Sequence, residues 1–153
     1  MGTATPQLAL GFDFGERRIG VAAGDTLTAT ARPVATILRP ASGTDWTAIE
    51  RVMKDWQPAV LIVGLPYNMD GTSGRLTGPA RDFAAELRRR FGLETITVDE
   101  RLSSRAAADI LREQRASGTR KRRVRAGDVD PVAAALLLEQ WFHAGAPRSQ
   151  TEE

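Results

Sequence analysis

The sequence predicts an α/β fold: a mixed five-stranded sheet in the order 3-2-1-4-5, with strand 2 antiparallel and helices on its flanks. Three observations lead there. Two short apolar runs near the N-terminus are separated by too few residues for a crossover helix, so they pair as a hairpin. Two later strand-like runs alternate with segments of helical period, the pattern of right-handed crossovers into a parallel half-sheet. The 153 residues, 42% of them hydrophobic, suit one domain with a core of its own.

Leu8 to Gly15 is mostly apolar and ends in glycine, as a buried central strand with a loop behind it does. Arg18 to Gly24 returns beside it. Thr28 to Leu38 supplies an outer strand, and Pro33 within it fits an edge, because proline cannot donate to a ladder. Trp46, Ile49, Met53 and Trp56 form one apolar face of a helix started near Thr44, both tryptophans reading as core. Val60 to Gly64 is a second buried strand. Phe83, Leu87 and Phe91 mark a helix stopped by Gly92, and Glu94 to Val98 is the fifth strand. Ser103 caps a helix to about Gln114, residues 115–129 make a basic loop, and Asp130-Pro131 opens a last helix to about His143. One domain over 8–146 results, with a disordered lead-in (1–7) and a frayed tail (147–153). With the first strand central, the arrangement resembles the ribonuclease H-like fold.

Composition excludes several classes. No apolar run approaches the ~20 residues of a membrane span, and Met1 to Gln7 lacks the parts of a signal peptide. Without cysteine there are no disulfides or thiolate metal sites, and the cytoplasm is the expected compartment. Charge is unevenly spread. Arg101 to Arg125 holds nine basic residues and two acids, net +7, so with the whole chain at +2 the remainder is −5. A basic sector on an acidic protein points to a polyanion, and arginine, 19 of the 21 basic residues, suits phosphate better than lysine does. A solvated arginine-rich surface is the plainer alternative.

Acids stand where the sheet brings chain ends together. Asp13 lies in the first strand between Phe12 and Phe14, where an unpaired charge costs several kcal/mol. Asp99 and Glu100 close the fifth strand; Asp128 and Asp130 precede the last helix. Carboxylates converging at one sheet edge are how Mg²⁺ or Mn²⁺ is held beside phosphate oxygens. Each acid also has a local explanation. Asp13 can satisfy backbone N–H groups, Asp99-Glu100-Arg101 can be an ion pair, and Asp130 can cap its helix. Gly64 to Thr72 is a turn-rich loop in which Asn68 and Asp70 can bond their own backbone. In this order the fifth strand is two strands from the first, ~9.6 Å by sheet spacing. Glu100 must span that gap with its longer side chain, and Asn68 or Asp70 is a nearer candidate. His143, the single histidine, has no catalytic part.

Four segments in order, LGFDFGERRIGVAAGD, VGLPYNMDGT, VDERLSS and VDPVAAALLLEQWF, together resemble the YqgF family, also called RuvX and similar to the junction resolvase RuvC. The resemblance implies a ribonuclease H-like fold and a cytoplasmic nuclease, linked to maturation of the 5′ end of pre-16S rRNA and also proposed as a Holliday-junction resolvase. It implies Asp13, Glu100 and Asp130 as catalytic metal ligands for Mg²⁺ or Mn²⁺; by their place beside these acids, Asp99, Asp70 and Asp128 are candidates for the outer shell. Ser103 and Ser104 stand where threonine is common, and Tyr67 where an aliphatic is usual.

The expected activity is thus metal-dependent endonucleolytic hydrolysis of structured nucleic acid, pre-rRNA or branched DNA, by a monomer or homodimer. Arg17, Arg18, Asn68, Arg101, Arg120, Lys121, Arg122, Arg123 and Arg125 are the candidate nucleic-acid contacts. A non-catalytic nucleic-acid-binding module is the first alternative. The second is an actin-like ATPase, whose phosphate loop D-F-G-E-R-R-I-G also resembles; those proteins bind nucleotide between two such domains.

Overall fold

In the computed structural model, which describes residues 7–68, 70–100 and 131–146, the two apolar N-terminal runs pair as a hairpin. β1 (Leu8–Phe14) and β2 (Arg18–Asp25) are antiparallel, and Gly15 N–H closes the turn on Arg18 O at 2.9 Å. β3 (Thr30–Leu38) lies along β2 at the sheet edge. The chain then runs through α1 (Trp46–Trp56), β4 (Val60–Leu65), α2 (Thr77–Phe91) and β5 (Glu94–Asp99). Its last described helix is α3 (Pro131–His143). The sheet order is β3-β2-β1-β4-β5, with β1, β4 and β5 parallel, as the sequence predicts. The expected lead-in and tail, the helix from Ser103 and the basic loop 115–129 lie outside the described residues, apart from Gln7. Among the described residues no helix is long and apolar enough to cross a membrane.

Strand alternation divides the core. Leu10, Phe12 and Phe14 of β1 point to the face covered by α1 and α2, where Phe83 meets Phe12, Phe14 and Trp46 at ring separations of 5.3–5.6 Å. Ala9, Gly11 and Asp13 point to the other face, under α3, where Leu138, Trp141 and Phe142 cover Val60, Ile62 and Ile96. The small side chains on this face of β1 and β2 let α3 sit close to the sheet.

Three local details differ from the sequence reading. Asp45 rather than Thr44 caps α1, its carboxylate accepting from Ala48 N–H at 3.2 Å. Trp46 and Trp56 are only partly buried. Each lies at the rim of the core under a guanidinium, Arg90 at 4.1 Å and Arg32 at 5.0 Å from the ring centres. Beside Pro33 the β2–β3 register slips, Val21 facing Ala35 and Ala22 facing Pro33, so Val34 is the extra residue of a bulge. The edge is tied to α3 as well: Ala31 N–H donates to Glu139 Oε2 at 3.0 Å.

Close approach of α3 carries a stability prediction. A Cβ on Gly24 would stand 2.6 Å from Thr30 O and 2.8 Å from the Phe142 ring. Gly24→Ala should therefore cost roughly 1–3 kcal/mol by overpacking. Urea denaturation checks it, and an unchanged midpoint would mean that both the β3 edge at Thr30 and the Phe142 ring yield freely.

Candidate active site

Asp13 is the next-to-last residue of β1 and is only 8% exposed. Its cross-strand neighbours are Gly20 on β2 and Gly64 on β4. Neither has a side chain, so the floor on both sides of the Asp13 carboxyl is bare backbone.

Glu100 fills part of that floor. Its N–H donates to Leu65 O at 3.0 Å, continuing the β4–β5 ladder one residue beyond β5. From there its side chain reaches back over Gly64: a Cβ on Gly64 would stand 2.9 Å from Glu100 Oε1. There the Glu100 carboxyl comes close enough to that of Asp13 for the two to interact directly. The two-strand gap expected between them is thus bridged directly, because the strand between presents a glycine at the crossing point. Burial pushes the Glu100 carboxyl well above the usual range, and the charge of Asp13, the direct interaction of the two side chains and the charge of Asp99 act in the same direction.

α3 starts toward this place. Phe142 lies over Gly24, beside Ala9, whereas Leu137 lies over Gly64, beside Asp13. The helix therefore runs antiparallel to β1, with Pro131 toward the end of the sheet where the two acids meet. Asp130 and Asp128 lie outside the described residues, as do Arg101, Arg120, Lys121, Arg122, Arg123 and Arg125. Among the described residues, no group of three or more acids, histidines or cysteines is arranged to hold a metal; two carboxyls meet.

The loop after β4 is a built turn. Asp70 accepts from Thr72 N–H at 2.9 Å and from its hydroxyl at 2.6 Å, while Asn68 donates to Thr72 Oγ1 at 3.0 Å. Thr77, buried at the start of α2, anchors the loop by donating to Pro66 O at 2.5 Å. Asn68 and Asp70 are thus engaged within their own loop, while the more distant Glu100 is the one that meets Asp13.

Arg17, on the turn after β1, and Arg18, the first residue of β2, are exposed. The sequence reading passed over what holds that turn. Arg75 pairs with Glu16 through two hydrogen bonds, at 2.8 and 3.1 Å, and holds its carboxyl below the usual range. Arg39 donates to Gly15 O at 3.3 Å and to Glu16 O, and lies 4.4 Å from the Phe14 ring centre. No periodicity announces such contacts. The sign available in the sequence was a run of opposite charges, E-R-R, in a glycine turn.

Comparison with known proteins agrees with this geometry. A family model described as "RuvX: Holliday junction resolvase" matches residues 7–144. A protein of Xanthomonas campestris pv. campestris (strain 8004), named "Putative pre-16S rRNA nuclease", is 48% identical over 88% of this chain and 86% of its own length. One of the same name from Escherichia coli O7:K1 is 47% identical over 89% of this chain and 96% of its own. Among solved structures, Thermus thermophilus RuvC in complex with a Holliday junction substrate matches with TM-score 0.56 at 13% identity, over 93% of this chain and 98% of that one. The yeast mitochondrial Holliday junction resolvase Ydc2 matches with TM-score 0.51 at 10% identity, over 90% and 78%. Those two likenesses concern the fold.

Proposed function

The chain belongs to the RuvX family of nucleases, and from that premise we propose that it is a divalent-metal-dependent endonuclease acting on the 5′ end of pre-16S rRNA in the cytoplasm. The observation that carries the reading is the contact between Asp13 and Glu100 over Gly64. Two carboxyls pressed together at a sheet end repel once both are ionised, and a hard dication with oxygen ligands relieves that repulsion. The donor set therefore fits Mg²⁺ or Mn²⁺, with Asp13 and Glu100 as ligands and Asp130, the residue before Pro131, as the third. A metal held by these residues would supply an activated water for attack at phosphorus and charge stabilisation for the leaving oxygen.

The chain's own residues set the geometry. Asp13 is held by ladders on both sides, and Glu100 by its bond to Leu65 O. Asp99 orients its neighbour, and Asp70 and Asp128 are candidates to support the ligands. Arg17, Arg18 and Arg101 are the candidate contacts to the substrate backbone, and Asn68 shapes the loop after β4. Arg120 to Arg125 add sequence-independent affinity. Replacing Arg120, Arg122 and Arg123 by Ala should flatten the plot of log affinity against log salt by about 0.7–0.9 for each phosphate these side chains neutralise. The cutting rate at saturating substrate should stay close to wild type. Filter binding over a salt series checks this, and an unchanged slope would remove these residues from the interface.

The deciding experiment is cleavage of a pre-16S rRNA leader and a four-way DNA junction in parallel, with Mg²⁺, Mn²⁺ or EDTA. Metal-dependent cutting of the leader is expected. Paired cuts in the junction alone would move the substrate to branched DNA, the reading favoured by the family description, and would require a dimer. Binding of either substrate without cutting would leave a nucleic-acid-binding module.

A further inference from the structure

Beside the turn that follows Asp13 lies a cleft of about 530 Å³, lined by Glu16 and Arg17 on one wall and by Arg39, Ala41, Gly43 and Thr44, from the β3–α1 connection, on the other. Its volume is that of a small-ligand site. Its chemistry is that of an anion site. The Glu16 carboxylate, its one acid, is engaged by Arg75 through two hydrogen bonds, which leaves the charges of Arg17 and Arg39 to act outward. The Arg17 side chain is exposed, while its carbonyl accepts from Arg39 N–H at 2.8 Å and so ties the two walls together. Arg39 is already positioned. Its Nη1 is fixed by two carbonyls of the turn and its plane lies by Phe14, so the other edge of the fork loses little freedom on binding phosphate. The opposite wall is low: Ala41 is exposed and Gly43, at φ +122°, has nothing near its missing side chain.

We propose that this cleft is a second phosphodiester-binding site, which holds the single-stranded backbone of the polynucleotide being cut, beyond the edge of the sheet from the reacting phosphate. The inference rests on the nuclease reading above. Phe14, next after Asp13, faces Arg39, while Asp13 itself faces α3. A strand passing from one to the other crosses the Gly15–Arg17 turn, and its path is fixed at both ends. The site recognises backbone and not base, since no aromatic ring lines it.

The chain has no cysteine, so Ala41→Cys introduces a single thiol in the cleft. Asp55→Cys places a control thiol near the far end of α1, a helix of 11 residues and hence ~16 Å long. In EDTA, alkylation by N-ethylmaleimide is followed with an oligouridylate of about 12 nucleotides, a length within known single-strand site sizes, with uridine monophosphate, or with neither. The oligouridylate should slow modification of Ala41→Cys several-fold, leave Asp55→Cys unaffected, and lose its effect when Arg17→Ala is added. Equal protection by the mononucleotide would overturn the proposal in favour of a free-nucleotide site. So would no protection at oligouridylate concentrations that saturate binding by anisotropy. The same preparations are assayed with metal on the leader RNA: cutting without protection defeats this inference alone, and protection without cutting defeats the nuclease reading.

Discussion

Asp13→Asn is expected to abolish metal-dependent cutting while leaving a folded protein. Asparagine has the shape of aspartate and keeps a hydrogen-bonding group toward Glu100, so the packing under α3 should survive. What it lacks is the charge. A carboxamide is a poor ligand for a hard dication beside phosphate, and the stabilisation forfeited is several kcal/mol. A deficit of about 4 kcal/mol corresponds to a rate lower by roughly 10³-fold. In the metal-free protein the change also removes a like charge beside Glu100, one of the causes that raise its carboxyl. Thermal stability in EDTA should therefore be equal to wild type or slightly higher. The two measurements together are diagnostic: a buried carboxylate with a purely structural task would lose stability and leave cutting alone. Cutting within tenfold of wild type at saturating Mn²⁺ would remove Asp13 from the metal site.

Asp13 was legible because burial makes a charge conspicuous: a lone acid between Phe12 and Phe14 in an otherwise apolar strand has few structural excuses. The sheet order was legible for a similarly local reason. Three residues between β1 and β2 permit only an antiparallel return, and the longer spacers before β4 and β5 carry helical period. Pro33 marked the edge correctly but not the bulge beside it, since a register slip leaves no trace in composition. The partner of Asp13 was harder. Strand spacing alone sets Glu100 two strands away and favours Asn68 or Asp70, and only the pairing of Gly64 opposite Asp13 reverses that ranking. Register is a tertiary fact. A glycine in V-G-L-P reads as the end of a strand until its neighbour on β1 is known. The clamps made by Arg75 and Arg39 join residues far apart in sequence, and no period or spacing announces them.

Gly64→Ala tests whether that missing side chain is what builds the site. The backbone of Gly64 is not in the left-handed region, so alanine meets no conformational strain there, and in isolation the strand would gain slightly from it. The effect is steric. The new Cβ would stand 2.9 Å from both Glu100 Oε1 and Leu137 Cδ2, and 3.4 Å from Glu100 Cβ. Leu137 can turn its side chain, and α3 can lift a few tenths of an ångström, at a cost of roughly 1–3 kcal/mol. Glu100 has less room, because its backbone is tied to Leu65 O and its carboxyl already lies against Asp13. Its carboxyl must move off the position where the two acids meet. A misplacement near 1 Å in a catalytic constellation costs about 10²-fold in rate, and that is the expected loss at saturating metal. Leu137→Ala should destabilise less in the Gly64→Ala background than alone, because there it also relieves one of the two clashes, and it should not recover cutting. Glu100→Asp, which withdraws the carboxyl by one methylene, should be harmful alone and nearly neutral in the Gly64→Ala background, a coupling that only direct contact produces. If the double variants are additive, or if Gly64→Ala cuts at the wild-type rate, then Glu100 does not owe its reach across β4 to the glycine beneath it.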